Sequence, residues 1–395
     1  MFLDLTLRRN PNLVEQAIAL HQAGKIPANC YVIDLDAVER NASLIAGEAA
    51  KHGLKTFAMT KQMGRNGDFC KAVSKGGIPA AVVVDMECAR ACHRAGMRIG
   101  HIGHLVQIPR REAAAAASLT PEYWTVFAAE KAAEASAANV AAGRVQPTLA
   151  RNVAPGDTFY RGHEGGYAAA DVIAAADAID AAPGLSFAGL TSFPTQLYDA
   201  ESRKVKPTSN LTTLAKAAEA LAAAGRSNIE INAPGTTSTE ILPMLAAAGA
   251  TQVEPGHGLT GTTPLHVVED LPETPAVVYL SEVSHRIGSE AFCFGGGLYI
   301  DPVFPDYPLR AIVSRDPTAS ANALKPVEIP GPAAIDYYGM IQDAAPQVGD
   351  SVVFGFRPQI FVTRAYSVGV AGLSKGAPIV GAIHDAFGRV ADWPL

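Results

Sequence analysis

The chain has 395 residues, 48% of them hydrophobic and 18% charged, and carries a formal net charge of -6. That balance describes a globular protein with room for one large domain and a smaller one. It leaves no broad basic surface for nucleic acid, and no apolar run reaches the roughly 20 residues that cross a bilayer.

The opening MFLDLTLRRNPNLVEQ carries acidic residues and no long apolar core, so it does not read as a signal peptide. The five cysteines, Cys30, Cys70, Cys88, Cys92 and Cys293, are too scattered for a disulfide framework. Reduced thiols in a cytoplasmic protein are the expectation. Cys88 and Cys92 lie four apart on a helix-like stretch, but no second ligand pair accompanies them.

From about residue 30 to 260, short β-branched or aromatic runs alternate with alanine-rich helical text. After an initial strand, YVIDL (31–35), the predicted strands are 55–60, 80–84, 99–106, 123–127, 145–151, 185–193, 228–232 and 251–254. Helix formers such as EKAAEASAANVAAG and LAKAAEALAAAG lie between them and end in glycine, a common helix stop. Eight strands alternating with helices predict a (β/α)8 barrel, although an open doubly wound sheet has much the same pattern. After about residue 265 the text turns to proline, glycine and β-formers, as in PAVVYLSEVSHRI, AFCFGGGLYIDPVF, DSVVFGFRPQIFVTRAYSVGV and APIVGAIHD. The expected division is 1–268 for the barrel with its entry segment and 269–395 for a mainly antiparallel β domain.

Active sites of such barrels lie at the C-terminal ends of the strands. Lys61 follows the first barrel strand, Arg151 the fifth, Ser192 and Phe193 the sixth, NAPGTTST the seventh and VEPGHG the eighth. In the last two turns glycines permit close backbone approach, and threonines and N–H groups suit a phosphate. Read alone, APGTTST is also an ordinary turn with N-capping threonines. GHGLTG (256–261) matches a dinucleotide fingerprint, but it closes the β–α series instead of opening it. HIGH (101–104) falls on a predicted strand, where residues three apart point to opposite faces, so no metal is expected there. One cofactor accounts for lysine, carboxylate and phosphate cup together. Pyridoxal phosphate needs an amine for a Schiff base, donors for its phosphate and a partner for its pyridine nitrogen, here Glu254.

KTFAMTKQMGRNG (55–67) and VEPGHG (253–258) resemble segments of the fold-type III pyridoxal-phosphate enzymes, the group of alanine racemase and of ornithine and diaminopimelate decarboxylases. GHGLTGTTPLH and FRPQIFVTRA look most like the YhfX-type, amino-acid racemase-like proteins. The resemblance implies Lys61 as the cofactor-bearing lysine and Glu254 on the pyridine nitrogen. It also implies Thr236, Thr237, Gly256 and His257 around the phosphate, and Arg151 beside the phenolic oxygen.

Departures from the group narrow the activity. IPGPAAIDYYGM (329–340) carries Ala334 where the decarboxylases have a cysteine, and FRPQIF lacks the metal-binding His and Cys of D-threonine aldolases. TSFPT offers Phe193 or Pro194 where a ring-stacking histidine often stands. The expected activity is therefore amino-acid racemisation or epimerisation by proton transfer at Cα. A decarboxylase or lyase of the same fold and a non-catalytic cofactor-homeostasis protein are the alternatives. The second acid/base is sought among Tyr299, Tyr337, Tyr338 and His285, with Tyr338 chosen. Asp336 is assigned to a substrate ammonium group, Arg357 or Arg364 to a carboxylate, and a homodimer with shared active sites is expected.

Overall fold

The computed structural model describes residues 1–300, 308–318, 323–331, 334–343 and 345–394. The last four residues of AFCFGGGLYIDPVF, and Pro332 and Ala333 of IPGPAAIDYYGM, lie outside the described residues. The chain forms two compact units. One joins Ala42–Thr60 to Gly77–Gly258; the other joins Met1–Asn41, Lys61–Gly76 and Leu259–Leu395.

The first unit is the barrel. Its strands are Lys55–Thr56 continued by Ala58–Met59, then Ala80–Val83, Arg98–Ile102, Tyr123–Val126, Gln146–Val153, Leu185–Thr191, Glu230–Asn232 and Gln252–Val253. All neighbouring pairs are parallel. Residues 55–59 close the circle, because Lys55–Thr56 pairs with the last strand and Ala58–Met59 with the second. Strands covered on both faces need continuous apolar text, and Ala80–Val83 is buried throughout.

Alanine favours helix and is small enough to pack helices against the sheet. In Ala129–Ala141 the residues Ala132, Ala135 and Ala138 form the buried face. Gly143 (φ +67°) and Gly225 (φ +85°) stop their helices in the left-handed conformation. The next N–H then reaches back, Arg144 to Asn139 O at 3.0 Å and Arg226 to Leu221 O at 2.8 Å. At the N-terminal ends of the strands, Tyr123 Oη donates to Glu230 Oε1 at 2.8 Å and Thr251 Oγ1 to Oε2 at 2.6 Å. The Lys55 ammonium pairs with the same carboxylate, so first, fourth, seventh and eighth strands are tied on that rim.

The second unit is antiparallel. Val277–Ile287, Glu290–Phe294, Tyr338–Ile341, Leu324–Glu328, Arg310–Ser314 and Ser351–Phe354 pair in that order, and the last returns to the first. Leu324–Glu328 gave no clear strand signal because Pro326 interrupts it; the proline sits opposite Arg310 in the ladder. Cys30–Asp34, expected as the prelude to the barrel, instead adds to this sheet. It runs antiparallel to Val277–Ile287 and parallel to Tyr366–Ala371. The two units therefore interleave in sequence, whereas the expected division at 268 was linear. Helix Pro11–Gln22 buries Leu13, Val14, Ala17 and Ile18 against Val278, Leu280, Ile312, Val353 and Val368. Each buried leucine, valine or isoleucine among them contributes about 2 kcal/mol. Among the described residues no helix is long and apolar enough to cross a membrane.

Gly189, on the sixth strand at φ +154°, leaves no room for a side chain: a Cβ there would stand 2.0 Å from Glu230 O. Gly189→Ala is expected to lower the unfolding free energy by about 3 kcal/mol, read from the urea midpoint. An unchanged midpoint would contradict this packing.

Candidate active site

Polar side chains gather at the C-terminal ends of the barrel strands around one buried carboxylate, Glu254. It follows Gln252–Val253, and Pro255 O accepts the Met59 N–H at 2.9 Å, which sets this turn beside the end of the first strand. His101 Nδ1 lies 2.6 Å from Glu254 Oε1, and Asn232 Nδ2 donates to the same oxygen at 3.0 Å. An ionised carboxylate has no proton to give, so His101 Nδ1 carries the hydrogen. Its Nε2 lies 2.6 Å from Thr125 Oγ1. Thr191 Oγ1 donates to Asn232 Oδ1 at 2.7 Å and so turns the amide NH2 toward the carboxylate. Glu254 Oε2 lies 3.2 Å from His104 Nε2 but takes no aligned hydrogen bond.

The expectation that His101 and His104 face opposite ways is overturned. The strand ends at Ile102, and Gly103 turns the backbone at φ +78°. Both rings come against Glu254 with centroids 5.1 Å apart. A Cβ at Gly103 would stand 2.6 Å from Thr125 O, so only glycine makes this turn. One donor atom from each of the three side chains lies within 4.8 Å of the others, a set that also suits a metal. The 2.6 Å separation is that of a charge-assisted hydrogen bond, and His101 has both ring nitrogens engaged. Burial alone would raise the Glu254 carboxyl; His104, His101 and Asn232 together outweigh it and hold it below its ordinary value.

Arg151 is fully buried, with its guanidinium 4.7 Å over the Phe127 ring. It donates to the carbonyls of His163, Phe193 and His104, and Nε has no hydrogen-bond partner. Burial, partly offset by Glu164, pulls this guanidinium down to about 10. Phe193 meets His104 edge-on at 5.7 Å and His163 at 6.3 Å, so an aromatic cluster follows the sixth strand.

The two glycine turns touch. A Cβ at Gly258 would stand 2.5 Å from Thr237 O, and one at Gly235 2.5 Å from Gln196 O. Thr237 Oγ1 donates to Gly235 O at 3.2 Å and accepts from Gln196 Nε2 at 3.3 Å. The Thr236 N–H is engaged by Gln196 O, which leaves its side chain as the group free to serve a ligand. Ser238 Oγ is buried with no hydrogen bond. His257 opens the short helix His257–Thr260 just past Gly256.

In the other unit, Lys61 opens the turn Lys61–Met63, two residues past the end of Ala58–Met59. Its Nζ lies 4.9 Å from the Phe361 ring centroid, and the Arg65 guanidinium 5.9 Å from the same ring. A Cβ at Gly64 would stand 2.9 Å from Ile360 Cγ2. Asn66 caps Gly67–Lys75 and reaches Ser367 Oγ at 3.1 Å, so both ends of the lysine's segment are anchored. Arg357, half-buried, precedes Phe361 on the same stretch. A cavity of about 420 Å³ is lined by Asn29, Phe294, Gly296, Tyr337, Tyr338 and Arg364. Tyr338 meets His285 edge-on at 4.9 Å, and His285 stacks on Phe292. Asp336, assigned to an ammonium group, is engaged by Arg364 through two 3.0 Å hydrogen bonds, which hold its carboxyl below the usual range.

The family model described as alanine racemase, N-terminal domain, matches residues 33–264, and that described as YhfX-like, C-terminal domain, matches 278–380. The chain is 39% identical over 391 residues to YhfX of Escherichia coli (strain K12), covering 98% of this chain and 99% of that protein. The chain belongs to the alanine racemase N-terminal domain family. Two solved structures share the fold. D-threonine aldolase from Filomicrobium marinum superimposes with a TM-score of 0.67 at 18% identity, over 92% of this chain and 96% of that one. Alanine racemase of Clostridium difficile 630 in complex with cycloserine gives 0.62 at 12%, over 91% and 99%.

The cofactor of the alanine racemase family is pyridoxal 5′-phosphate, and the buried donors and acceptors fit it. Glu254 Oε2, Arg151 Nε and Ser238 Oγ each lack a hydrogen bond that a pyridine N–H, a phenolic oxygen and a phosphate would supply. Thr125, Asn232 and Thr191 were missed in the sequence, and His101 and Ser238, though within HIGH and NAPGTTST, were given no role there. A polar residue closing a strand, as Asn232 does in NIEIN, and a lone polar residue inside an apolar strand, as Thr125 in YWTVF, were the available signals.

Because Glu254 is held below 4.5, its stabilising effect is complete above that value and is lost as the pH falls through the depressed one. Glu254→Gln should be less stable than wild type by about 2 kcal/mol at neutral pH. In pH-dependent urea unfolding this gap should close on acidification; a gap that persists into strong acid would contradict the assignment.

Proposed function

We propose that the protein is a pyridoxal-phosphate-dependent amino-acid racemase or epimerase. The observation that carries the reading is Glu254: a buried, ionised carboxylate at the end of the eighth strand with one oxygen short of a hydrogen bond. Such a group suits a protonated pyridine nitrogen, and that protonation makes the bound cofactor a strong sink for negative charge at Cα. Glu254 binds the ring nitrogen, while Thr236, Thr237, Ser238 and the turn at Gly256 and His257 hold the phosphate. Arg151 directs its guanidinium to the phenolic oxygen.

Lys61, the first residue after the run that ends the first strand, bears the cofactor and moves a proton at one face of Cα. Tyr338, supplied by a second copy of the chain, serves the opposite face. Tyr338 lines a cavity together with Arg364, whose guanidinium is paired with Asp336. Arg357 is the cation assigned to the substrate carboxylate. The enzyme on this reading is a homodimer.

Incubating the protein with an amino-acid panel in heavy water tests both bases. Wild type should incorporate deuterium at Cα and abolish optical rotation. Lys61→Ala should lose exchange, and Tyr338→Phe should lose racemisation by about 10²–10⁴-fold while still binding cofactor. Carbon dioxide or a carbonyl product in place of racemisation would overturn the racemase assignment in favour of a decarboxylase or lyase.

A further inference from the structure

His101 is fully buried with a hydrogen-bond partner at each ring nitrogen, yet no step of the proposed reaction uses it. We propose that His101 is a positioning residue: held by Thr125, its Nδ1–H fixes the rotation of the Glu254 carboxylate and so presents Oε2 to the cofactor's ring nitrogen. This inference rests on the assignment of Glu254 to that nitrogen.

The terminal torsion of a glutamate is soft, and its two oxygens are equivalent until something distinguishes them. Here two donors converge on Oε1: His101 Nδ1 at 2.6 Å and Asn232 Nδ2 at 3.0 Å. Each is locked from behind, His101 by Thr125 at 2.6 Å and Asn232 by Thr191 at 2.7 Å. Thr125, His101, Asn232 and Thr191 lie on the fourth, third, seventh and sixth strands, so sheet register sets the angle of the carboxylate. The contact with Thr125 Oγ1 at Nε2 holds the imidazole plane so that Nδ1–H stays aimed at the carboxylate. Glu254, held below its ordinary range, keeps its negative charge to oppose the ring nitrogen's proton. A fixed donor aimed at the group whose charge matters needs no reorganisation during the reaction.

The test follows the ring nitrogen of isotope-labelled pyridoxal phosphate by NMR in the full-length protein, alongside deuterium exchange at Cα. His101→Asn keeps an N–H near the Nδ1 position; His101→Leu removes it; Thr125→Val removes only the hydroxyl. Wild type and His101→Asn should show a protonated ring nitrogen. His101→Leu and Thr125→Val should move its shift toward the unprotonated form and slow exchange by about 10–100-fold, the size seen when the partner behind a functional ligand is lost. If His101→Leu does not fold, Thr125→Val, close to isosteric, decides the question. A wild-type nitrogen shift in the folded variants would overturn the inference while leaving the cofactor assignment intact. A wild-type protein that takes up no pyridoxal phosphate would instead overturn that assignment, and the inference with it.

Discussion

The hydrogen bonds that hold Glu254 set the terms for everything around it. A carboxylate buried to this degree would normally take up a proton, because burial disfavours the charge. His101, His104 and Asn232 reverse that preference. They do so only because the strands bearing His101 and Asn232 are in register with their neighbours and because Gly103 lets His104 fold back. The closed parallel barrel is thus more than a scaffold: its register determines the electrostatics at its C-terminal face.

The same face carries two further features. Arg151 is a fully buried cation, stacked on Phe127 and bonded to carbonyls, with one donor left over. The turn at Gly258 is pressed against Thr237 of the other turn, and Gly235 against Gln196, so closely that a methyl group at either position would collide with backbone. Donors for the phosphate, a partner for the ring nitrogen and a donor near the phenolic oxygen are the polar demands of pyridoxal phosphate apart from its amine. The opposite rim, with Lys55, Tyr123, Glu230 and Thr251 satisfying one another, reads as closure of the barrel and not as chemistry.

Much of this was legible in the residues. Period and composition located all eight barrel strands, and the order of strand ends drew attention to Lys61, Arg151, Glu254 and the two glycine turns. Three things were not legible. Cys30–Asp34 joined the other sheet because strand pairing is a long-range choice that a short apolar run does not declare. Leu324–Glu328 was hidden by Pro326, tolerated in a ladder at low residue-level cost to the signal's neighbours but misleading in the text. HIGH was taken for continuous strand because alternation says nothing about a glycine that leaves the allowed region for other residues at its third position. That one turn converted two histidines expected to diverge into a pair on the same carboxylate.

The central claim is that Lys61 bears the cofactor whose ring nitrogen Glu254 holds. Borohydride reduction of the protein loaded with pyridoxal phosphate, followed by peptide mass spectrometry, tests it most directly. The account predicts a phosphopyridoxyl group on Lys61 and none in Lys61→Ala. Label on another lysine, or none on the loaded wild type, would contradict it.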